Sequence, residues 1–187
     1  MKPQIFSIRN PLISIAGFLL LVTTMQTGCG VLFNVNRVVK LHPVILTQED
    51  LPKMRLTSSR RSGRPSKDFP IIVEFEQRWN GNQLTVGYWL FDSSYTAKKA
   101  AGEYTFRMVA GVPNYQPESN PENVIGDATW RIIPKICGKK DTTDLWFVKN
   151  NVVVYVSADG QSPDQLQFAR DVARKIEAKI EKVLPQK

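Results

Sequence analysis

Two glutamates, Glu74 and Glu76, form the only close carboxylate pair on a predicted strand of this chain. Side chains two residues apart on a strand lie on one face, roughly 7 Å apart. Paired acid and base groups act at about this separation in sugar hydrolysis. Arg78 continues the same row, however, and an alternating charged row is also typical of the solvent-facing side of a strand. The pair is therefore the candidate for hydrolytic catalysis, and a solvated strand is its alternative.

The other side chains that could carry chemistry stand alone. His42 precedes Pro43 and has no Cys, Asp or Glu at ligand spacing, which indicates an ordinary surface residue. Lys139 and Lys140 make a reactive thiol at Cys137 conceivable, but without a neighbouring base or second Cys a small buried or unpaired Cys is favoured. The phosphate-binding, zinc-protease and nucleophile-elbow motifs are also missing from the sequence. We therefore predict no metal site and no cofactor, and the residues favour a non-enzymatic protein.

The first thirty residues carry an export signal. Lys2 and Arg9 precede an uncharged apolar run at 12–22, the pattern of a secretory signal. The run is followed by Gln26-Thr27-Gly28-Cys29. In this the chain resembles bacterial lipoprotein precursors as a class, in which a Cys after small residues is acylated and becomes the first mature residue. The resemblance implies a signal peptide at 1–28, lipidation at Cys29, and an extracytoplasmic location on a membrane.

Two other interpretations of the same segment stay open. No charged residue occurs between Arg9 and Arg37, so 12–33 is long enough to span a bilayer as an uncleaved helix. Alternatively, the signal is removed without lipidation, and Cys29 is left to pair with Cys137 in an oxidising compartment. All three interpretations export the rest of the chain.

The net charge is concentrated near the N-terminus. The 187 residues contain 25 Lys plus Arg and 17 Asp plus Glu, a formal charge of +8, which by itself suggests nucleic acid or an anionic membrane as partner. Residues 31–67 hold eight basic and two acidic residues, whereas residues 68–187 hold 15 of each. Nucleic acid is therefore disfavoured. The Ser- and Arg-rich stretch predicts a membrane-proximal basic tether over 29–68, either a solvated spacer or a patch touching anionic head groups.

Regular patterns begin at residue 69 and predict one domain over 69–187. Turn residues, helix caps and apolar periodicity indicate two hairpins, a lone strand and two helices. In chain order these are strands 71–79 and 83–91 about Asn80-Gly81, a helix at 95–109, a strand at 128–133, strands 144–149 and 152–157 about Asn150-Asn151, and a helix opening at Pro163. The ββα-βββα order predicts an α+β fold, with an antiparallel sheet of about five strands and two helices on one face.

The second hairpin is apolar on both sides. Trp146 and Tyr155 fall on one face and Leu145 and Phe147 on the other. The hairpin is therefore either central and covered, which we favour, or it presents an aromatic surface to a partner.

A long Pro-rich loop follows the first helix, and loops of this length are often binding elements. The candidate contacts for a ligand or partner are Trp146, Tyr155, Asn114 and Tyr115. The last helix carries an apolar stripe that suits either packing across a sheet, which we favour, or a short coiled coil.

The sequence thus favours a membrane-anchored, extracytoplasmic binding or accessory module without enzymatic activity. Its expected partners are the membrane, through the anchor, and an envelope protein or a small ligand. One alternative is a cell-envelope hydrolase that uses Glu74 and Glu76. The other is a structural envelope protein that oligomerises through its C-terminal helix.

Overall fold

A computed structural model of the protein describes residues 36–62, 71–109, 115–132 and 142–185. Its centre is a seven-stranded antiparallel sheet in the order β1-β2-β3-β7-β6-β5-β4. The strands are β1 (Leu56–Ser62), β2 (Ile71–Trp79), β3 (Leu84–Phe91), β4 (Tyr115–Pro117), β5 (Ala128–Ile132), β6 (Thr142–Lys149) and β7 (Val152–Asp159). The helices are α1 (Ser94–Val109) and α2 (Pro163–Val183), with a 3-10 turn at Pro121–Asn123. The predicted α+β class is confirmed, with seven strands rather than about five.

The first hairpin has a longer turn than its sequence predicts. Trp79 lies opposite Leu84, so the connection takes residues 80–83 rather than Asn80-Gly81 alone. Extending the ladder by this pair buries both side chains completely. The register is displaced by two residues from the predicted one, and because this number is even, every side chain keeps its predicted face.

The second hairpin has the predicted register. Trp146 lies opposite Tyr155 and Phe147 opposite Val154, around a turn in which Asn150 has a φ of 55°. Strand β7 is the middle strand of the sheet. The central, covered position is therefore confirmed for this hairpin.

The two helices lie on opposite faces of the sheet, so the prediction of both helices on one face is wrong. Helix α2 belongs to the core cluster that contains Phe147, whereas α1 packs against the cluster that contains Trp146. Since neighbouring residues of a strand point to opposite faces, these two contacts need a helix on each side. The physical reason is the apolar character of both faces of β6 and β7, which requires cover on both.

Helix α2 uses its apolar stripe inside the protein. The Ser162 hydroxyl accepts a hydrogen bond from the Gln165 N–H at 3.2 Å and caps the first turn. The buried face of the helix consists of Ala169, Val172, Ala173, Ile176 and Ile180, which pack with β6 and β7. Packing across the sheet, the favoured alternative, is therefore confirmed.

The folded unit begins at Arg37 rather than at residue 69, which corrects the predicted tether over 29–68. The apolar side chains of 37–51 belong to the same core cluster as the buried face of α2; they are Val38, Leu41, Val44, Leu46 and Leu51. Strand β1 then pairs with β2 as the charged edge strand of the sheet. The apolar residues of this segment alternate only weakly, and the Ser- and Arg-rich stretch that follows them is typical of a linker, which is why the sequence predicts a tether.

Several predictions fall on residues outside the described ranges. These are the signal peptide, Cys29, Asn114 and Cys137. Among the residues that are described, no helix has the length and apolar character needed to cross a membrane.

Candidate ligand-binding groove

A cavity of about 440 Å³ lies between the N-terminal segment of the folded unit, residues 37–51, and the two outer strands β1 and β2. We call it the edge groove. Its lining consists of Val39, Lys40, Leu41, His42, Ile45, Arg61, Val73 and Phe75. Small-molecule sites typically enclose about 300–1,000 Å³, so this volume suits a small ligand.

The strand register explains how the sheet side of the edge groove forms. Arg61 of β1 lies opposite Phe75 of β2, so both side chains project from the same face. This is the α2 face, because Phe75 packs against the core cluster of that helix and its ring lies 6.3 Å from that of Tyr88. Helix α2 packs over the more central strands β6 and β7. The N-terminal segment covers the outer strands instead, and the edge groove lies beneath it.

A buried hydrogen-bond network holds this segment against the sheet. The Tyr88 hydroxyl accepts from the Leu46 N–H at 3.1 Å and donates to Gln77 Oε1 at 3.0 Å. Gln77 Nε2 then donates to the Leu46 carbonyl at 2.9 Å. Burial raises the pKa of the Tyr88 phenol well above its usual range, so the group remains a neutral donor. The network fixes one wall of the edge groove to β2 and β3.

Helix α2 holds the same segment from its other side. Lys179 Nζ donates to the Ile45 carbonyl at 3.1 Å and forms an ion pair with Asp50. Burial acts to raise the pKa of Asp50, but hydrogen bonds from Lys179 and Thr47 outweigh it and leave the pKa below its usual value. The segment is therefore attached to both the sheet and the helix.

The edge groove combines apolar walls with an excess of positive charge. Its basic residues are Lys40, His42 and Arg61, and no acidic residue lines it. Within the described parts of the chain, these three exposed side chains form no ion pair or hydrogen bond. Val39, also on the lining, is 71% exposed. An apolar cavity in which Lys40 and Arg61 carry unneutralised positive charge can bind a ligand that has an apolar body and an anionic group.

The predicted carboxylate pair lies on the other face of the sheet. Glu76 Oε1 accepts a hydrogen bond from Arg78 Nε at 2.8 Å, in an ion pair whose side chains are 41% and 48% exposed. Glu74 lies opposite Trp89 of β3, again on the α1 face. The ion pair with Arg78 favours the solvated charged row over a catalytic pair.

The predicted aromatic contacts lie mainly in the interior. Trp146 is 1% exposed, stacked on Trp89 with ring centroids 5.2 Å apart and 4.7 Å from the ring of Tyr155. The half-buried Tyr155 donates its hydroxyl to Asp144 Oδ1 at 2.9 Å. Trp146 therefore packs within the protein and offers no open surface. Tyr115 begins β4, the far edge strand, separated from β6 by β5.

The edge groove could not be predicted from the sequence because its N-terminal wall and Arg61 of β1 lie in the stretch interpreted as a tether. The alternating Val73 and Phe75 of β2 were the only signal, and they indicate a core-facing strand. Over the described ranges, no group of three or more His, Cys, Asp or Glu side chains is arranged to hold a metal ion.

Comparison with known proteins places the chain in a family. A family model described as a domain of unknown function, DUF7373, N-terminal, matches residues 56–184. The fold is similar to the crystal structure of the extracellular domain of PknH from Mycobacterium tuberculosis. The TM-score is 0.50 and the identity 13%, over 74% of this chain and 93% of that one. No curated protein matches the chain. The chain belongs to the DUF7373 N-terminal domain family.

Proposed function

We propose that the protein is a membrane-anchored, extracytoplasmic binding module that holds a small ligand in the edge groove and has no enzymatic activity. The observation that carries the proposal is the groove itself, with apolar walls, Lys40 and Arg61 unneutralised among the described residues, and a volume of about 440 Å³. A cavity that combines apolar walls with a few polar groups is the usual form of a small-molecule site.

The location rests on the N-terminal sequence. The signal and the lipoprotein-like Cys29 support export followed by anchoring. Acyl chains on one Cys would bury many methylenes at about 0.8 kcal/mol each, enough for a stable anchor. The similar fold of an extracellular mycobacterial domain is consistent with this location.

Mass spectrometry of the protein isolated from cell membranes tests the anchor. We expect a mature chain that begins at Cys29 and carries the added mass of acyl chains. The Cys29→Ala variant should lose that mass. A retained Met1 would point to the uncleaved helix, and an unmodified cleaved chain would point to secretion; either result would contradict lipid anchoring.

A second measurement tests the side of the membrane. A membrane-impermeant amine reagent, applied to cells with an intact inner membrane and an opened outer barrier, should modify the exposed Lys98 and Lys99 of α1. A cytoplasmic control protein should stay unmodified. Labelling only after lysis of the inner membrane would contradict export.

The two alternative functions gain no support from the described residues. For the hydrolase, one of the two carboxylates, that of Glu76, forms an ion pair with Arg78. For oligomerisation through the C-terminal helix, the apolar stripe of α2 packs within the protein itself. Replacing Glu74 and Glu76 together by Gln is expected to leave envelope-polymer turnover unchanged.

A further inference from the structure

We propose that the ligand of the edge groove is a single-chain anionic amphiphile, a long-chain fatty acid whose carboxylate binds the basic residues while its hydrocarbon chain lies along the apolar wall. This inference rests on the proposed function and adds the chemical class of the ligand. The lining has five apolar and three basic side chains. A purely apolar ligand would leave the cations unpaired, and a compact polyanion would leave the apolar wall in water, so both parts of the lining favour one amphiphile.

The geometry gives the two ends of the ligand separate positions. Arg61 lies on the edge strand, directly opposite Phe75 on the next strand in. Phe75 and Val73 are partly buried against the core, so the wall becomes more apolar from β1 towards β2. A guanidinium binds a carboxylate through two parallel hydrogen bonds, which suits Arg61 for the head group.

The opposite wall repeats this division. Lys40 and His42 are exposed, whereas Leu41 is buried and Ile45 partly buried within the same segment. Both walls therefore combine exposed basic side chains with more deeply buried apolar ones. One acyl chain matches this arrangement, and a volume of about 440 Å³, in the lower part of the usual range, favours one chain over the two of a phospholipid.

Photocrosslinking tests the inference with the full chain in nanodiscs of neutral phosphatidylcholine. The probe is a sixteen-carbon fatty acid that carries a photoactivatable diazirine in its chain, with cross-linked peptides mapped by mass spectrometry. We expect labelling of the peptides that contain residues 39–45 and 71–75. Excess palmitate should abolish this labelling, whereas hexadecanol, which has the same chain without the charge, should compete at least tenfold less well.

Two neighbouring arginines provide matched variants. Arg61→Gln should reduce labelling of the edge groove about tenfold, since one charge-assisted contact is lost. Arg60→Gln removes the same charge from the same exposed strand, but Arg60 lies opposite Glu76 and faces the other side of the sheet. Labelling of the edge groove in the Arg60→Gln variant should equal that in the wild type.

A third variant keeps the test valid if Arg61→Gln disturbs the edge strand. Val39→Asp places a negative charge on the lining at a side chain that is 71% exposed, so the fold should tolerate it, and labelling should again fall about tenfold.

Three results would overturn the inference. If hexadecanol competed as well as palmitate, or if Arg60→Gln and Arg61→Gln reduced labelling equally, the ligand would not need an anionic head group. The edge groove would still be a binding site. Cross-links confined to other parts of the chain would show that the edge groove does not bind the acyl chain. The measurements of lipidation and of membrane side do not depend on labelling of the edge groove. If the protein proved lipidated and external but its edge groove stayed unlabelled, the proposed location would stand and the fatty-acid ligand would be rejected.

Discussion

Replacement of Asn151 by Ala should weaken the attachment of the N-terminal segment to the rest of the fold. The Asn151 side chain is completely buried. Its Oδ1 accepts from the Val38 N–H at 2.8 Å, and its Nδ2 donates to the carbonyls of Val38 at 2.9 Å and Phe91 at 2.8 Å. The positive φ of this turn belongs to Asn150, so alanine at 151 introduces no backbone strain.

The size of the effect follows from these three hydrogen bonds. A typical hydrogen bond contributes about 1 kcal/mol net, and a buried partner left unsatisfied costs more. We therefore expect the Asn151→Ala variant to lose about 3 to 4 kcal/mol of unfolding free energy. Since domains are stable by only about 5–15 kcal/mol in total, a loss of this size is readily measured.

Urea unfolding of the full chain gives the free energy, and hydrogen exchange gives the location. Asn82→Ala is the matched control, because Asn82 is exposed in the turn of the other hairpin and its replacement should change stability by less than about 0.5 kcal/mol. In Asn151→Ala, the amides of residues 37–46 should exchange faster than in the control. Equal stability of the two variants, with the segment still protected, would refute the reasoning.

Two further predictions concern backbone geometry and pH. Gly126 and Gly81 both have positive φ, at 72° and 73°, but a Cβ at Gly126 would lie 2.3 Å from the Val148 carbonyl oxygen, whereas nothing lies within 4 Å at Gly81. Gly81→Ala should cost about 1 kcal/mol and Gly126→Ala about 3 kcal/mol or more by urea unfolding; equal losses would contradict the structure. The pKa of Asp50 is lowered in the folded state, so its contribution to stability is present above about pH 4 and is lost as the pH falls through the folded-state pKa. Asp50→Asn should therefore lose less stability than the wild type between pH 7 and pH 3, and the same loss in both proteins would argue against this role.

The sequence predicts the elements whose pattern is local. The cap at Ser162 and the spacing of Ala169, Ala173 and Ile176 predict helix α2. The Asn150-Asn151 turn predicts the register of the second hairpin. Each of these features depends on residues that are near one another in the chain.

The helix positions and the edge groove depend on distant contacts and are missed. The apolar residues on both faces of β6 and β7 indicate that each face is covered, but they do not show which helix covers which face. Strand β1 is rich in Ser and Arg and becomes a strand only because β2 offers an edge to pair with. Val38 and Leu46 are placed by hydrogen bonds to Asn151, Tyr88 and Gln77, which lie 31 to 113 residues away in the sequence.

A crystal structure of the chain with dodecanoate bound would test the central claim, a fatty-acid site in the edge groove, most directly. We predict electron density for the hydrocarbon chain along Val73 and Phe75, with the carboxylate within about 3 Å of the Arg61 guanidinium. An edge groove that stays empty at saturating dodecanoate, or one that is filled by the protein's own side chains, would contradict the claim.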